Sequence, residues 1–419
     1  MKKILTQPPA GMRDFLASDM IKREYVISKI KTIFERFEVL QGKYGEEEKL
    51  IYKFKDLGGR ELALRYDLTV PLARVVARFP NLPKPIRRYQ ISRVWRYERK
   101  QRGRYKEFWQ CDVDIVGSKS MLADAEIIAI IYEVLKELGF KEFTIRINNR
   151  KILTALTKWA GVEEKKSLGV LRSIDKLDKK GLEGVKEELK ERGIDKKSIK
   201  KILEFISIKG KPEEALSKIE NYIKDFKEGK EGIEELKQLF SYLRIFGIDE
   251  KFYELDLSLA RGLDYYTGPI YETVVKKPNI GSITGGGRYD KLIGIFSGIE
   301  IPATGTSFGI ERIIEIMDKL KMFRLPKTRT KVFVANAKEE VREEAIRITQ
   351  MLRRKGINCQ MDVSGRSLKK QLEYADSLGI DYVVIVAPKE LKEGKVILKD
   401  MKNRKEETIR KEKLIQNLR

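Results

Sequence analysis

RVWRYERKQRGRYKEFWQCDVDIVG, residues Arg93–Gly117, is the stretch whose reading decides the fold. It begins as an alternation of apolar and basic residues, breaks into a loop of Arg, Lys, Gln and Gly, and resumes as a second alternation. That pattern predicts a β-hairpin with a long cationic loop. Side chains two apart on a strand share a face. Arg96 and Glu98 therefore point one way on the first strand, Gln110, Asp112 and Asp114 one way on the second, and Arg104 follows the loop glycine Gly103. One sheet surface then carries guanidinium groups at one end and carboxylates at the other, which can hold a polyphosphate beside a small cationic ligand. The plainer reading of this stretch alone is an exposed hairpin with solvated charges.

Working outward, helical spacing runs over Asp19–Phe37, and Leu50–Tyr66 reads as two short strands joined at Gly58-Gly59. Thr69–Phe79 is a helix with Asp67 or Thr69 near its start. Beyond the hairpin, Ser118 or Ser120 caps a helix that ends at Gly139, and Phe143–Asn148 is a strand. Glu163–Gly247 is dense in Lys, Glu, Leu and Ile at helical periods and reads as an inserted helical subdomain. Strand character returns over Phe252–Leu259 and Ile270–Val275, glycines cluster at 281–287 and 305–309, and a helix starts near Ile310. After a linker at Pro326–Lys331, alternating strands and helices predict a small α/β domain with a mostly parallel or mixed sheet.

Four further segments carry chemistry. LARGLDYYTG (Leu259–Gly268) crowds Arg261, Asp264, Tyr265 and Tyr266 together, and reads equally as a pocket wall or as a turn with aromatic packing. TGGGRYDKL (Thr284–Leu292) is either a close backbone approach to a ligand or a sharp β-turn or bulge; it is no Walker loop and opens no helix. GTSFGIERI (Gly305–Ile313) puts Arg312 in the first turn of a helix, as an anion site or as a surface partner of Glu311 or Glu315. In LRYDLTVPLAR (Leu64–Arg74), Asp67 and Thr69 suit an α-ammonium group or a helix cap.

The chain has 419 residues, 87 Lys+Arg against 63 Asp+Glu, and a net charge of +24, which favours a polyanionic partner, nucleic acid first. No apolar run is long enough to span a bilayer and the N-terminus lacks a secretory apolar region, so a cytoplasmic protein with no membrane partner is expected. Cys111 and Cys359 lie in different expected domains, which argues against a disulfide framework or a cysteine zinc site. There is no histidine. Imidazole is thereby excluded as base, nucleophile orienter and metal ligand, and chemistry must rest on arginines, carboxylates, tyrosine hydroxyls and bound cations.

Taken together, these motifs resemble the histidyl-tRNA synthetases, class II aminoacyl-tRNA synthetases, with an archaeal/eukaryotic flavour in LRYDLTVPLAR and QCDVDIVG. RVWRYE…GRYKEF is similar to the second class II motif and GTSFGIERI to the third; LARGLDYYTG and GGGRYDKL look like the two signatures peculiar to the histidine enzyme. The resemblance implies an α+β protein: an antiparallel-sheet catalytic core at 1–162 and 248–324, a helical insertion at 163–247, and a C-terminal α/β anticodon-binding domain at 328–419, where GRSLKKQLEYAD (Gly365–Asp376) fits the family pattern.

The implied reaction activates histidine with ATP and transfers it to tRNA(His). By the same resemblance, Arg96 and Arg261 are catalytic, holding the α-phosphate and the histidine carboxylate, while Glu98 lies beside adenine and Arg104 and Arg312 hold the outer phosphates. Magnesium bridges the phosphates. Asp67, Thr69 and Gln110 bind the α-ammonium group, Asp114 and Tyr266 bracket the imidazole, Tyr265 completes that wall, and Gln101 and Arg102 meet the tRNA acceptor end. A homodimer is implied too, but Phe37 runs almost directly into EVLQGKYGEEEKL with no proline between Pro9 and Pro71, so the first-motif strand is expected to be shortened or missing. The competing readings are a histidine-sensing regulatory paralogue, which lacks the anticodon-type domain, and a tRNA-binding scaffold.

Overall fold

The structure, a computed structural model, describes residues 15–36, 40–41, 51–97, 105–262 and 265–418. They form two compact units, one within residues 23–322 and one of residues 323–418 with 15–22. The first unit is built on α1 (Ala17–Arg36) from Arg23 onward, β1 (Leu40–Gln41), β2 (Lys53–Lys55), β3 (Glu61–Ala63), α2 (Thr69–Arg78), β4 (Ile86–Trp95), β5 (Glu107–Val116), α3 (Met121–Glu137), β6 (Thr144–Asn149) and α4 (Arg150–Trp159). Then come α5 (Glu164–Ile174), α6 (Leu177–Glu191), α7 (Lys196–Ile206), α8 (Pro212–Ile223) and α9 (Lys227–Ile245). It closes with β7 (Tyr253–Leu255), β8 (Pro269–Val274), β9 (Thr284–Arg288), α10 (Gly294–Ser297), β10 (Ala303–Gly309) and α11 (Ile310–Lys319). Eight of the strands make one sheet in the order β1-β4-β5-β10-β9-β8-β6-β7, antiparallel except at the β1–β4 and β6–β7 pairs.

The β4–β5 hairpin pairs Ile86 with Val116 through to Trp95 with Glu107. Arg96 lies one residue past the strand end, its backbone N–H still donating to the Lys106 carbonyl at 2.9 Å. Residues directly opposite in a sheet share a face, so the register sorts the side chains. One face carries Arg88, Gln90, Gln110, Asp112, Asp114, Ser307, Glu272 and Arg146. The other carries the buried Cys111, Val113, Ile115, Phe308, Tyr271, Ile145 and Ile147. α3 covers this apolar face: Arg288, opposite Thr304, forms a fully buried ion pair with Asp124 of α3. Ser120 caps α3 by accepting from the Leu122 N–H at 3.2 Å, and Gly139 stops it at φ +88°.

TGGGR is neither a turn nor a bulge but β9, a strand inside the sheet between β10 and β8. Glycine is required there: a Cβ on Gly286 would lie 2.2 Å from the Gly305 carbonyl oxygen. β1 is two residues long and runs parallel to β4, pairing Leu40 with Arg88; residues 37–39 and 42–50, where the rest of the expected first-motif strand falls, lie outside the described residues. The helices α4–α9 belong to the same compact unit as the sheet, with α9 packed on α3 and α4. Arg146 ties them to it through an ion pair with Asp178 of α6 at 2.5 Å.

The second unit holds β11 (Val332–Asn336), α12 (Arg342–Arg354), β12 (Cys359–Met361), α13 (Leu368–Ser377), β13 (Tyr382–Val386), α14 (Pro388–Lys392), β14 (Lys395–Asp400), β15 (Lys405–Arg410) and α15 (Leu414–Asn417). Its sheet, β12-β11-β13-β14-β15, is mixed: parallel on either side of β11, antiparallel beyond β13. Gln371, buried in the GRSLKKQLEYAD segment, donates to the Arg366 carbonyl at 2.7 Å and bonds both backbone groups of Asn336, fixing α13 to the end of β11.

Candidate active site

A cavity of about 360 Å³ opens on the polar face of the larger sheet. Its lining includes Asp67, Thr69, Arg96, Gln110, Asp114, Arg261, Tyr265, Tyr266 and Arg312, drawn from the start of α2, the hairpin, the loop before β8 and the first turn of α11. Glu98, Gln101, Arg102 and Arg104 lie outside the described residues.

Each arginine in the cavity is held by the backbone or by a carboxylate. Arg96 donates from Nε to the Tyr66 carbonyl at 3.1 Å, and its guanidinium stacks 4.4 Å from the Tyr66 ring centroid and 5.1 Å from that of Phe108. Arg261 pairs through Nε with Glu272, which also receives the Ser282 hydroxyl. Arg312 donates to the Ser282 carbonyl at 2.6 Å. Ser282 thus serves both arginines, its hydroxyl through Glu272 and its carbonyl directly. Burial raises the Glu272 pKa, and the Arg261 charge opposes that rise.

The acidic side of the cavity is more deeply buried. Asp114 accepts from the Tyr289 hydroxyl at 2.5 Å on one oxygen and pairs with Arg88 Nε at 3.0 Å on the other. Arg88 in turn donates to the Leu68 carbonyl at 2.5 Å. Asp67 accepts from the Val70 N–H at 3.2 Å, as a cap of α2 would; burial raises its pKa, and Arg96 opposes that. Asp112 is pushed up to about 7, by burial first, against the pull of Arg88 and with a further push from Asp114. Gln110 donates to the Ser307 hydroxyl at 3.0 Å.

Backbone choices keep the cavity open. Tyr265 and Tyr266 pack with ring centroids 4.3 Å apart and planes tilted by 44°, and burial raises the Tyr266 hydroxyl. Gly262, at φ +60°, sits under the Tyr266 ring, where a Cβ would come within 1.9 Å. At Gly305 a Cβ would lie 2.1 Å from Asp114, while at Gly285 it would meet nothing within 4 Å and would project into open space. A patch of sheet without side chains, bordered by guanidinium groups and by carboxylates, suits a flat ring and a polyphosphate beside an ammonium-bearing ligand. Among the described residues no group of three or more His, Cys, Asp or Glu side chains is placed to hold a metal ion.

Arg88, Asp112, Glu272, Ser282 and Tyr289 join this site without having been singled out as site residues in the sequence. Period-two alternation does put Asp112 and Glu272 on the polar face of β5 and β8. Nothing local marks Tyr289 as the hydroxyl partner of Asp114, because the two meet only through strand order.

The chain is similar to known proteins along most of its length. A family model described as "Histidyl-tRNA synthetase" matches residues 30–313, and one described as "Anticodon binding domain" matches residues 331–419. The chain is 41% identical to the histidine–tRNA ligase of Gloeobacter violaceus, with 95% of each chain covered. It is 43% identical to that of Aeropyrum pernix over 93% of this chain and 92% of the relative. The crystal structure of histidyl-tRNA synthetase from Nostoc sp. superposes with a TM-score of 0.87 at 32% identity, covering 99% of both chains.

Proposed function

Because the chain belongs to the histidyl-tRNA synthetase family, we propose that its cavity binds ATP and histidine side by side and forms histidyl-adenylate there. The activity is that of a histidine–tRNA ligase: the amino acid is activated with ATP, then passed to the 3′ end of its tRNA. In the first step the histidine carboxylate attacks the α-phosphorus, the bond to the bridging oxygen breaks, and pyrophosphate leaves. In the second a ribose hydroxyl of the terminal nucleotide attacks the mixed anhydride and AMP leaves with its electron pair.

Neither step has a histidine side chain of the protein to use as base. In-line chemistry at phosphorus depends chiefly on positioning and on neutralising developing charge. Arg96 and Arg261 take that role at the α-phosphate and the attacking carboxylate. Glu272 and the aromatic pair Tyr66 and Phe108 hold these two cations where the charge grows. Arg312 and Arg104 hold the outer phosphates, and Glu98 lies along the adenine. A magnesium ion bound with ATP would add to the neutralisation that Arg96, Arg261 and Arg312 supply.

Asp67, Thr69 and Gln110 receive the α-ammonium group, while Asp114 and Tyr266, beside Tyr265, meet the two imidazole nitrogens. An Asp114 already fixed by Tyr289 and Arg88 is preorganised to accept an N–H. A ligand lacking either ring nitrogen would leave a buried polar group unpaired, which is how such a site rejects analogues. Gln101 and Arg102 approach the acceptor end of tRNA(His), and the unit after residue 323 binds the anticodon region. The protein works as a homodimer in the cytoplasm.

The observation that carries this reading is the convergence of Arg96, Arg261 and Arg312 on one cavity with Asp114 and Tyr266. Histidine-dependent ATP–pyrophosphate exchange, followed by aminoacylation of tRNA(His), tests it. Histidine binding without exchange would make the chain a sensor, and tRNA binding without either activity a scaffold.

A further inference from the structure

Asp112 has no part in the assignments above, yet it is among the most enclosed carboxylates of the cavity, 2% exposed. It projects from the pocket face of β5 between Gln110 and Asp114, opposite Ser307 on one side and Gln90 on the other. Its Oδ1 is buried and accepts no hydrogen bond from any described residue. The same holds for Oε1 of Gln110, whose amide is turned toward Ser307. A buried acceptor left unmatched is costly, and in native proteins it points to a ligand or water that completes it.

The charges agree. Asp67, Asp112 and Asp114 act on one another or on Arg88 across this floor. Arg88 is committed to Asp114 by an ion pair at 3.0 Å, and Asp114 is completed by Tyr289. Arg96 acts on Asp67. No described cation forms an ion pair with Asp112, although the Arg88 charge acts on it. The floor thus offers two acceptors on one strand with neither a hydrogen bond nor an ion pair, Gln110 Oε1 and Asp112 Oδ1, with the Asp67 carboxylate close enough to act on Asp112. A protonated primary amine carries one charge and three N–H donors.

Resting on the function proposed above, we infer that Asp112 is a substrate-contacting residue: its Oδ1 accepts from the α-ammonium group of histidine, alongside Gln110 and Asp67, and sets the preference for amino acids over analogues without the amine. Asp114 serves the ring and Asp112 the amine, so the two carboxylates two residues apart on β5 divide the recognition of one small molecule.

The test compares wild type with Asp112→Asn, an isosteric change that removes the charge and leaves Ser307 a partner. The readouts are the exchange KM values for histidine and ATP, and competition by two analogues. Histidinol keeps the amine; imidazole lactate carries a hydroxyl in its place. The expected result is a loss of about tenfold or more for histidine and histidinol, the scale of one charge-assisted hydrogen bond, with ATP and imidazole lactate changed by less than about twofold. Ser307→Ala, which removes the hydroxyl bonded to Asp112 and accepting from Gln110, should give a smaller loss of the same selectivity and supplies the test if the first variant does not fold. Equal losses for both analogues, or no loss for either, overturn the inference. Wild-type protein without histidine-dependent exchange would instead overturn the functional reading on which it rests.

Discussion

Arg261 is a half-exposed cation resting on a nearly buried carboxylate, Glu272. Arg261→Ala should therefore separate chemistry from stability. Loss of a preorganised charge at the α-phosphate is worth about a hundredfold or more in rate. The fold should lose only about 1 kcal/mol, because Glu272, whose pKa burial already raises, can take up a proton once its partner is gone. Exchange kinetics beside urea unfolding measure both, and near-normal exchange would contradict the role given to Arg261. Asp112 gives a pH signature. Its folded-state pKa of about 7 stands above the ordinary 3.8. The native chain therefore holds a proton that the unfolded chain has released, and the stability this contributes is lost as pH rises from about 4 to about 7. Asp67, Asp114 and Arg88 are the charged groups that act on it. Melting curves at about pH 5 and about pH 8 should show a larger drop for wild type than for Asp112→Asn; equal drops would mean that Asp112 stays ionised.

β9 shows how one element divides its work between packing and binding. Gly286→Ala pushes a methyl against the Gly305 carbonyl and the Tyr271 ring and should destabilise by about 1–3 kcal/mol or more. Gly285→Ala, on the open face, should leave the melting temperature near that of wild type yet cut exchange kcat/KM about tenfold or more, because the methyl occupies ligand space. A fall in both quantities for both variants would show that β9 only packs. The same element is pinned to α3 by the buried Arg288–Asp124 pair. Arg288→Leu, which strands Asp124, should cost about 3–5 kcal/mol by denaturant midpoint. The hairpin β4–β5 and the polar face of β5 are legible in the sequence, because polar and apolar residues alternate with a period of two. β9 is not legible as a strand, since three glycines carry no information about faces, and the strand is recognisable only from the neighbours that crowd it.

At the scale of the molecule, the expectations of an antiparallel-sheet core and a C-terminal α/β domain agree with the fold and with the family matches. Motif chemistry drew attention to Arg96, Arg261 and Arg312. The clamps around them are not legible in the sequence, because Arg88, Glu272 and Tyr289 are unremarkable until strand order brings each beside its partner. The net charge of +24 belongs to this scale as well. Binding of a polyanionic tRNA by many such charges releases counterions, so kcat/KM for tRNA should fall steeply between about 50 and 200 mM salt. Exchange, which involves no tRNA, should change much less; parallel decline of the two would place the salt effect in the cavity instead. A chain without a single imidazole, wrapped around a pocket proposed to receive one, also offers an unusual spectroscopic window. In the untagged protein every imidazole resonance comes from the bound amino acid. Its nitrogen shifts can then report tautomer and charge at the Asp114–Tyr266 niche directly, without isotope editing to silence the host.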